Sequence, residues 1–222
     1  MPYETLTDFE YLGMVNEVPM TVIGRPTLPA GNYAELVKWL EANKGKINLA
    51  NAGLGAASHL CGLLFMQSLK IDMTTVPYKG TAPAMTDLLG GQVDIMCDQT
   101  TNTTSQIAGG KVKAFAVTTM APLKTPALAK LPTLDSQGLK GFNVSIWHAM
   151  YAPKGTPAAV VEKVNKALQA SLKDADFIKK QEALGAVVIT DSRVTPAEHK
   201  KFVGAEIAKW GPVIKAAGQY AD

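Results

Sequence analysis

A glycine-rich turn contains the residues best suited to bind a charged ligand. Gly53 and Gly55 allow close approach of the backbone, and Ala56, Ala57 and Ser58 follow where a helix should begin. The first N–H groups of a helix lack partners within the helix, and its dipole favours a negative charge there. The spacing predicts an anion site. The alternative is a tight strand-to-helix turn that binds nothing.

Two further loops follow predicted strands and carry polar residues. Lys79, within residues 78–81, could pair with an anion or could be a solvated surface lysine. Asp98, within residues 98–102, could accept a hydrogen bond from an amino or hydroxyl group of a ligand, or could cap the next turn. Ligands of parallel α/β sheets bind outside the carboxyl ends of the strands. We therefore expect the three loops to form one site.

Patterns for catalysis or metal binding are weak. The turn reads Gly-x-Gly-x-x-Ser, which lacks the third glycine of a dinucleotide fingerprint, and no Gly-Lys-Ser/Thr follows. His59 and Cys61 are two residues apart on a predicted helix, so their side chains point in different directions. His148 and His199 have no neighbours at metal-ligand spacing. We predict no catalytic residue, metal or cofactor, with a hydrolase or nucleotide-dependent enzyme as the least favoured alternative.

The elements that position these loops alternate along the first half of the chain. Residues 20–119 contain four alternations of strand and helix with short loops, which is typical of a parallel α/β sheet. Residues 120–143 form a connector rich in proline and glycine. The remaining third is richer in helices and poor in strands. The predicted fold class is α/β, with a change of character near residue 120.

Composition limits the class of protein. The chain has 222 residues, of which 47% are hydrophobic and 18% charged, so it can bury a sizeable core. A net charge of +3, without clustering of basic residues, predicts no nucleic-acid partner. No secretory signal pattern is found at the start, which alone favours the cytoplasm. Cys61 and Cys97 read as small core residues, and a disulfide between them is the less favoured interpretation.

Several segments resemble the Bug family, the periplasmic solute-binding proteins of tripartite tricarboxylate transporters. The strongest are Asn-Ala-Gly-Leu-Gly-Ala-Ala-Ser-His-Leu (51–60), Val-Pro-Tyr-Lys-Gly-Thr-Ala-Pro-Ala (76–84) and Leu-Gly-Gly-Gln-Val-Asp (89–94). The similarity continues through residues 108–118, Trp147, residues 152–157 and residues 209–210. It covers essentially the whole chain in the family's order.

The resemblance implies a type II periplasmic binding-protein fold, whose two lobes close about a hinge on a small organic carboxylate. The ligand would be a dicarboxylate, a tricarboxylate, an aromatic carboxylate or an acidic amino acid. The partners would be the membrane subunits of the transporter, and the protein would be a periplasmic monomer. The residues expected to bind the ligand are Asn51, Gly53, Gly55, Ala56, Ala57, Ser58, Tyr78, Lys79, Gly80, Thr81, Asp98, Gln99 and Trp147.

The resemblance also implies domain boundaries. Lobe two would be residues 26–117, and lobe one would combine residues 1–25 with residues 118–222. Family members begin with a signal peptide and α/β units that have no counterpart here, so lobe one is expected to be incomplete. A truncated, non-binding fragment or paralogue is therefore the alternative to a working receptor.

Overall fold

The computed structural model describes residues 3–217 of the chain. The described residues divide into two compact units, one of residues 3–18 with 147–217 and the other of residues 19–146. We call them unit one and unit two. The predicted lobe boundaries at 25/26 and 117/118 remain a prediction. The outermost residues assigned to lobe one, 1–2 and 218–222, lie outside the described residues.

Unit two is built on a five-stranded sheet. Its elements are the C-terminal part of β1 (Phe9–Gly24), then α1 (Tyr33–Ala42), β2 (Asn48–Asn51), α2 (Ala57–Leu69), β3 (Thr74–Pro77), α3 (Thr81–Leu89), β4 (Ile95–Gln99), α4 (Thr100–Ala108) and β5 (Lys113–Val117). The strand order is β3-β2-β4-β1-β5. β2 is parallel to β3 and β4, whereas β1 is antiparallel to β4 and β5. The α/β fold class is confirmed. The sheet is mixed rather than fully parallel, because hydrophobic periodicity does not report strand direction.

Helices cover both faces of this sheet. On one face, Met85 and Leu88 of α3 pack in a buried cluster with Ala50 and Met96. On the other, Gly62 of α2 lies so close to Leu49 that an added Cβ would be 2.8 Å from a Leu49 methyl carbon. A glycine at this point lets α2 approach β2 closely. The layered packing fixes where both helices begin, and hence where the predicted site lies.

A disulfide joins α2 to β4, which corrects the expectation of two free core cysteines. Cys61 and Cys97 are bonded with a Cα–Cα distance of 5.9 Å, and both residues are at most 1% exposed. They are 36 residues apart in sequence, and a bridge closing such a loop stabilises the folded chain by about 4 kcal/mol in the chain-entropy treatment. The pairing depends on how α2 packs on the sheet, which residue spacing does not determine.

Asp94 ties together three elements at the amino ends of β2 and β4. Its carboxylate accepts hydrogen bonds from Arg25 Nε (3.0 Å) and from the Asn48 backbone N–H (2.9 Å). The Arg25 N–H also donates to the Asp94 carbonyl oxygen at 2.9 Å. Asp94 thus joins the end of β1 to the starts of β2 and β4. This edge of the sheet is opposite the one at which the predicted site loops begin.

Unit one is mostly helical. Its elements are the first part of β1, then β6 (Ser145–Pro153, whose first two residues belong to unit two), α5 (Ala158–Ser171), α6 (Ala175–Ala183), β7 (Val187–Val188), a 3₁₀ turn (Ser192–Val194) and α7 (Pro196–Ala217). β6 and β7 both pair with β1. A small core of Leu168, Leu172 and Val188 lies beneath the helices. Among residues 3–217, no helix combines the length and apolar character needed to cross a bilayer.

His199 of α7 is a fully buried polar residue in unit one. Its Nδ1 accepts a hydrogen bond from the Gly13 N–H at 3.1 Å. The rings of Tyr11 and Tyr151 lie 4.9 and 4.8 Å from the imidazole, centroid to centroid. Burial lowers the pKa of His199 to about 4. The side chain is therefore neutral near pH 7 and anchors β1 as a hydrogen-bond acceptor.

Candidate functional site

The first two predicted loops lie against each other at the carboxyl ends of β2 and β3. The Tyr78 N–H donates to the Asn51 carbonyl at 2.9 Å, and the Gly80 N–H donates to the Ala52 carbonyl at 3.1 Å. Gly53 has φ +126°, and a Cβ there would be 3.2 Å from the Tyr78 carbonyl oxygen. Glycine at this position therefore allows both the backbone conformation and the close approach of the second loop.

Several N–H groups of this turn, including those of the predicted residues Gly53, Gly55 and Ala56, are already used within the protein. The pairs are Ala52 N with Ser58 Oγ (2.9 Å), Gly53 N with Asn51 Oδ1 (3.0 Å), Gly55 N with His59 Nδ1 (3.2 Å) and Ala56 N with Gly53 O (3.1 Å). Ala56 is the N-cap of α2 and supplies no side-chain capping bond. Within the described chain, the N–H groups of Ala57 and Ser58 donate to no protein acceptor. Among the N–H groups of residues 52–58 named here, the available donors are thus those of the first turn of α2.

The third loop brings a buried carboxylate to the starts of two helices. Asp98 is 3% exposed, and its Oδ2 accepts a hydrogen bond from Asn102 Nδ2 at 3.2 Å. The same Asn102 nitrogen lies 3.4 Å from Thr81 Oγ1, the first residue of α3. Burial raises the pKa of Asp98, and hydrogen bonds from Gln99, Asn102 and Thr81 partly offset that rise. Asp98 remains a strong hydrogen-bond acceptor in a place with little water.

Three buried polar atoms without partners lie at the same strand ends. Among the described residues, six buried side-chain N or O atoms have no hydrogen-bond partner, and three of the six are Asn51 Nδ2, Gln99 Oε1 and Thr100 Oγ1. Asn51 ends β2, Gln99 ends β4 and Thr100 begins α4. An unsatisfied buried polar group costs about 1–3 kcal/mol, so half of these costs are concentrated at one edge of the sheet.

Sequence reasoning missed two residues of this arrangement. Thr100 and Asn102 belong to a run of threonine and asparagine residues that directly follows β4. Both residues lie within the predicted loop of residues 98–102, but neither is among the thirteen residues expected to bind the ligand. A signal was present, because short polar side chains immediately after the carboxyl end of a strand are placed to meet a ligand.

Tyr78 and Lys79 contribute less than their side chains suggest. The Tyr78 hydroxyl donates to Asp87 Oδ2 at 2.7 Å. Burial, followed by the bond and charge of Asp87, raises the pKa of Tyr78 to about 12. Lys79 is exposed at the surface of the loop. Both residues stay predictions as ligand contacts, and the Tyr78 phenol is already engaged with α3.

Trp147 lies in unit one, whereas the other twelve of the thirteen predicted residues lie in unit two. It is half-buried on β6, and its ring packs edge-on against Phe202 of α7 with centroids 5.4 Å apart. The Arg193 guanidinium covers the same phenylalanine ring at 5.3 Å. The role of Trp147 in ligand binding stays a prediction.

A family model described as the tripartite tricarboxylate transporter family receptor matches residues 1–219. The chain belongs to this family. A UPF0065 protein of Agrobacterium vitis, from the TAR-I ttuE-ttuC' intergenic region, is 44% identical over 99% of this chain. The chain spans 63% of that relative's length. The sequence-based identification of the family is confirmed.

Solved structures agree with the fold as well as with the family. The periplasmic binding protein BugD is 52% identical with a TM-score of 0.91, and the match covers 97% of this chain and 71% of that chain. MatC of Rhodopseudomonas palustris with bound malate is 34% identical with a TM-score of 0.87, and the match covers 96% of this chain and 72% of that chain. A second R. palustris protein, with adipate, is 30% identical with a TM-score of 0.90, and the match covers 99% of this chain and 72% of that chain.

The family and its structural neighbours are periplasmic solute-binding proteins, which are not enzymes. Cys61, bonded to Cys97, has no free thiol for nucleophilic catalysis.

Proposed function

We propose that this receptor binds a small organic carboxylate at the three loops of unit two and delivers it to a tripartite tricarboxylate transporter. The observation that carries the proposal is the group of unpartnered buried atoms, Asn51 Nδ2, Gln99 Oε1 and Thr100 Oγ1, beside the uncapped start of α2. A ligand that contacts these atoms would replace the water that they lost on folding. The proposal therefore explains why such costly groups are kept together.

The donors and acceptors divide into two sets with different chemistry. The N–H groups of Ala57 and Ser58 are placed to donate to a carboxylate, and the dipole of α2 favours its negative charge. Asn51 Nδ2 adds a side-chain donor, and charge-assisted bonds of this kind are stronger than neutral ones. Gln99 Oε1 and the Asp98 carboxylate can only accept, so they suit a hydroxyl or ammonium group of the ligand.

Dicarboxylates are the ligand class that we favour. Two structural neighbours are bound to adipate and to malate. Each of these ligands has two carboxylates, and malate also has a hydroxyl group. A hydroxyl would use the acceptors at Asp98 and Gln99. We place the protein in the periplasm, and the buried disulfide supports this, because disulfides persist in oxidising compartments.

The test uses two threonines of α4 as a matched pair. Thr100 and Thr103 are both fully buried, but Thr100 Oγ1 has no partner whereas Thr103 Oγ1 contacts Thr21 Oγ1 at 2.8 Å. We expect calorimetry of the 222-residue chain to show binding of malate, adipate or another member of a carboxylate panel. T100V should weaken that binding about tenfold, since one buried hydrogen bond to an anion is worth roughly 1.5 kcal/mol. T103V should change affinity less than threefold.

The expected effects on stability are the reverse of those on affinity, since T103V should lose stability and T100V should not. T100V removes an unsatisfied hydroxyl, so the ligand-free protein should be as stable as the parent or up to about 1 kcal/mol more stable. T103V breaks a formed hydrogen bond and should lose about 1 kcal/mol. Absence of binding heat for every carboxylate in the panel would reject the receptor function. Equal affinity losses for the two variants would reject the role given to Thr100.

A further inference from the structure

The disulfide lies directly beside the unpartnered amides of the candidate site. β2 pairs with β4 in parallel register, with Ala50 opposite Met96, so Asn51 comes next to Cys97. Alternate residues of a strand share a face, which puts Cys97 and Gln99 on the same side of the sheet as Asn51. The Cys97 half of the bridge therefore adjoins both amide side chains.

The other half of the bridge holds the helix that supplies the backbone donors. Cys61 comes one turn after Ala57, the first residue of α2. The N-cap Ala56 makes no side-chain bond to the first turn, so a common means of fixing a helix start is missing here. The bond from Cys61 to Cys97 joins this helix to the strand that ends in Asp98 and Gln99.

We propose that the Cys61–Cys97 disulfide positions the candidate site, an inference that rests on the proposed function. It holds the first turn of α2 and the ends of β2 and β4 in one arrangement, so that the donors are in place before the ligand arrives. Preorganised groups lose less entropy on binding, and affinity rises accordingly. Without the bridge, Asn51, Gln99 and the start of α2 sample other positions, and the ligand must bear the cost of ordering them.

The bridge is a permanent brace rather than a redox switch. Both cysteines are at most 1% exposed, so a dithiol reductant does not reach the sulfur atoms without local opening of the fold. Reduction would transfer two electrons and two protons from that dithiol, break the S–S bond, form two thiols and leave the reductant oxidised to a disulfide. Substitution is therefore the cleaner experiment.

The first measurement needs no ligand. Hydrogen–deuterium exchange is followed in the full chain for the parent, C61A/C97A and the control L40A, at a temperature where all three are folded. Leu40 is fully buried in α1 of unit two, so L40A destabilises the same unit without touching the bridge. We expect exchange in residues 52–60 and 98–102 to rise at least tenfold in C61A/C97A and less than threefold in L40A. Exchange in α3 should stay the same in C61A/C97A as in the control.

The second measurement is calorimetric titration with malate and adipate. We expect C61A/C97A to bind whichever of them the parent binds at least tenfold more weakly, and L40A to stay within threefold of the parent. Unchanged exchange at both segments, or equal loss of affinity in the two variants, would overturn the positioning role. If the parent binds neither probe, the dicarboxylate proposal fails and the exchange data alone decide whether the brace exists. If C61A/C97A does not fold, C61A/C97V keeps a branched side chain in β4 and replaces it in both measurements.

Discussion

Asp98 is the residue whose surroundings place the sharpest limit on the ligand. It is buried, its pKa is raised by that burial, and the Asn102 amide donates a hydrogen bond to its Oδ2 at 3.2 Å. A plain carboxylate placed close to Asp98 would meet a like charge. A hydroxyl or ammonium group would instead donate to it, so under the proposed function we expect Asp98 to favour ligands that carry a donor.

The pair malate and succinate tests this selectivity, since they differ by one hydroxyl group. D98N should weaken malate binding about tenfold, because a bond to a charged acceptor becomes a bond to a neutral one. Succinate should lose less than threefold, because it has no hydroxyl to donate to Asp98 and because the like-charge repulsion disappears. Titration calorimetry measures both. D72N is the control, since Asp72 is exposed before β3 and should change neither affinity. Equal losses for both ligands would remove Asp98 from the binding role.

The turn between β2 and α2 shows how much of an element the sequence can predict. Gly53 and Gly55 indicated a tight turn before a helix, and the structure has α2 beginning at Ala57. The use of the Gly55 and Ala56 amides by His59 and Gly53 was not predictable, because it depends on atomic distances within the folded turn. The same limit applied to the disulfide and to the antiparallel direction of β1, which both depend on tertiary packing.

Two glycine substitutions test the geometry of this turn. Gly53 combines φ +126° with a nearby carbonyl, whereas Gly55 has φ +76° and nothing within 4 Å of an added Cβ. G55A should cost about 1–2 kcal/mol from backbone strain alone. G53A should cost at least about 1 kcal/mol more, because an added Cβ also meets the second loop. Urea unfolding of both variants measures the difference. A smaller cost for G53A than for G55A would contradict the described contact.

At the scale of the whole chain, stability in acid depends on His199. Its pKa falls from about 6.5 in the unfolded chain to about 4 in the folded one, so the unfolded state binds more protons between those values. The stability contribution is complete above pH 6.5 and is lost as the pH falls toward 4. The full effect is about 3 kcal/mol. The named neighbours of the imidazole are the rings of Tyr11 and Tyr151, with Lys200 over Tyr11. None of these three residues carries a negative charge that would stabilise a protonated imidazole.

The variant H199N isolates this contribution. Asparagine can still accept a hydrogen bond from the Gly13 N–H, but it does not titrate. We expect unfolding free energies measured from pH 7 to pH 4 to fall by about 3 kcal/mol less in H199N than in the parent. H59N is the control, because His59 lies in unit two and its Nδ1 also accepts from a backbone N–H, that of Gly55. Identical pH profiles for the parent and H199N would show that His199 is not the responsible group.

The two motifs that most clearly resemble the family contain residues with structural roles in the fold. Asp94, the last residue of Leu-Gly-Gly-Gln-Val-Asp, joins three strands far from the loops, and Tyr78 of Val-Pro-Tyr-Lys-Gly is bonded to Asp87. A sequence search built on these two motifs would therefore group proteins that share a fold. It would not distinguish them by the ligand that they bind. Under the proposed function, we expect receptors of this family that carry different ligands to differ at positions 51, 98, 99 and 100.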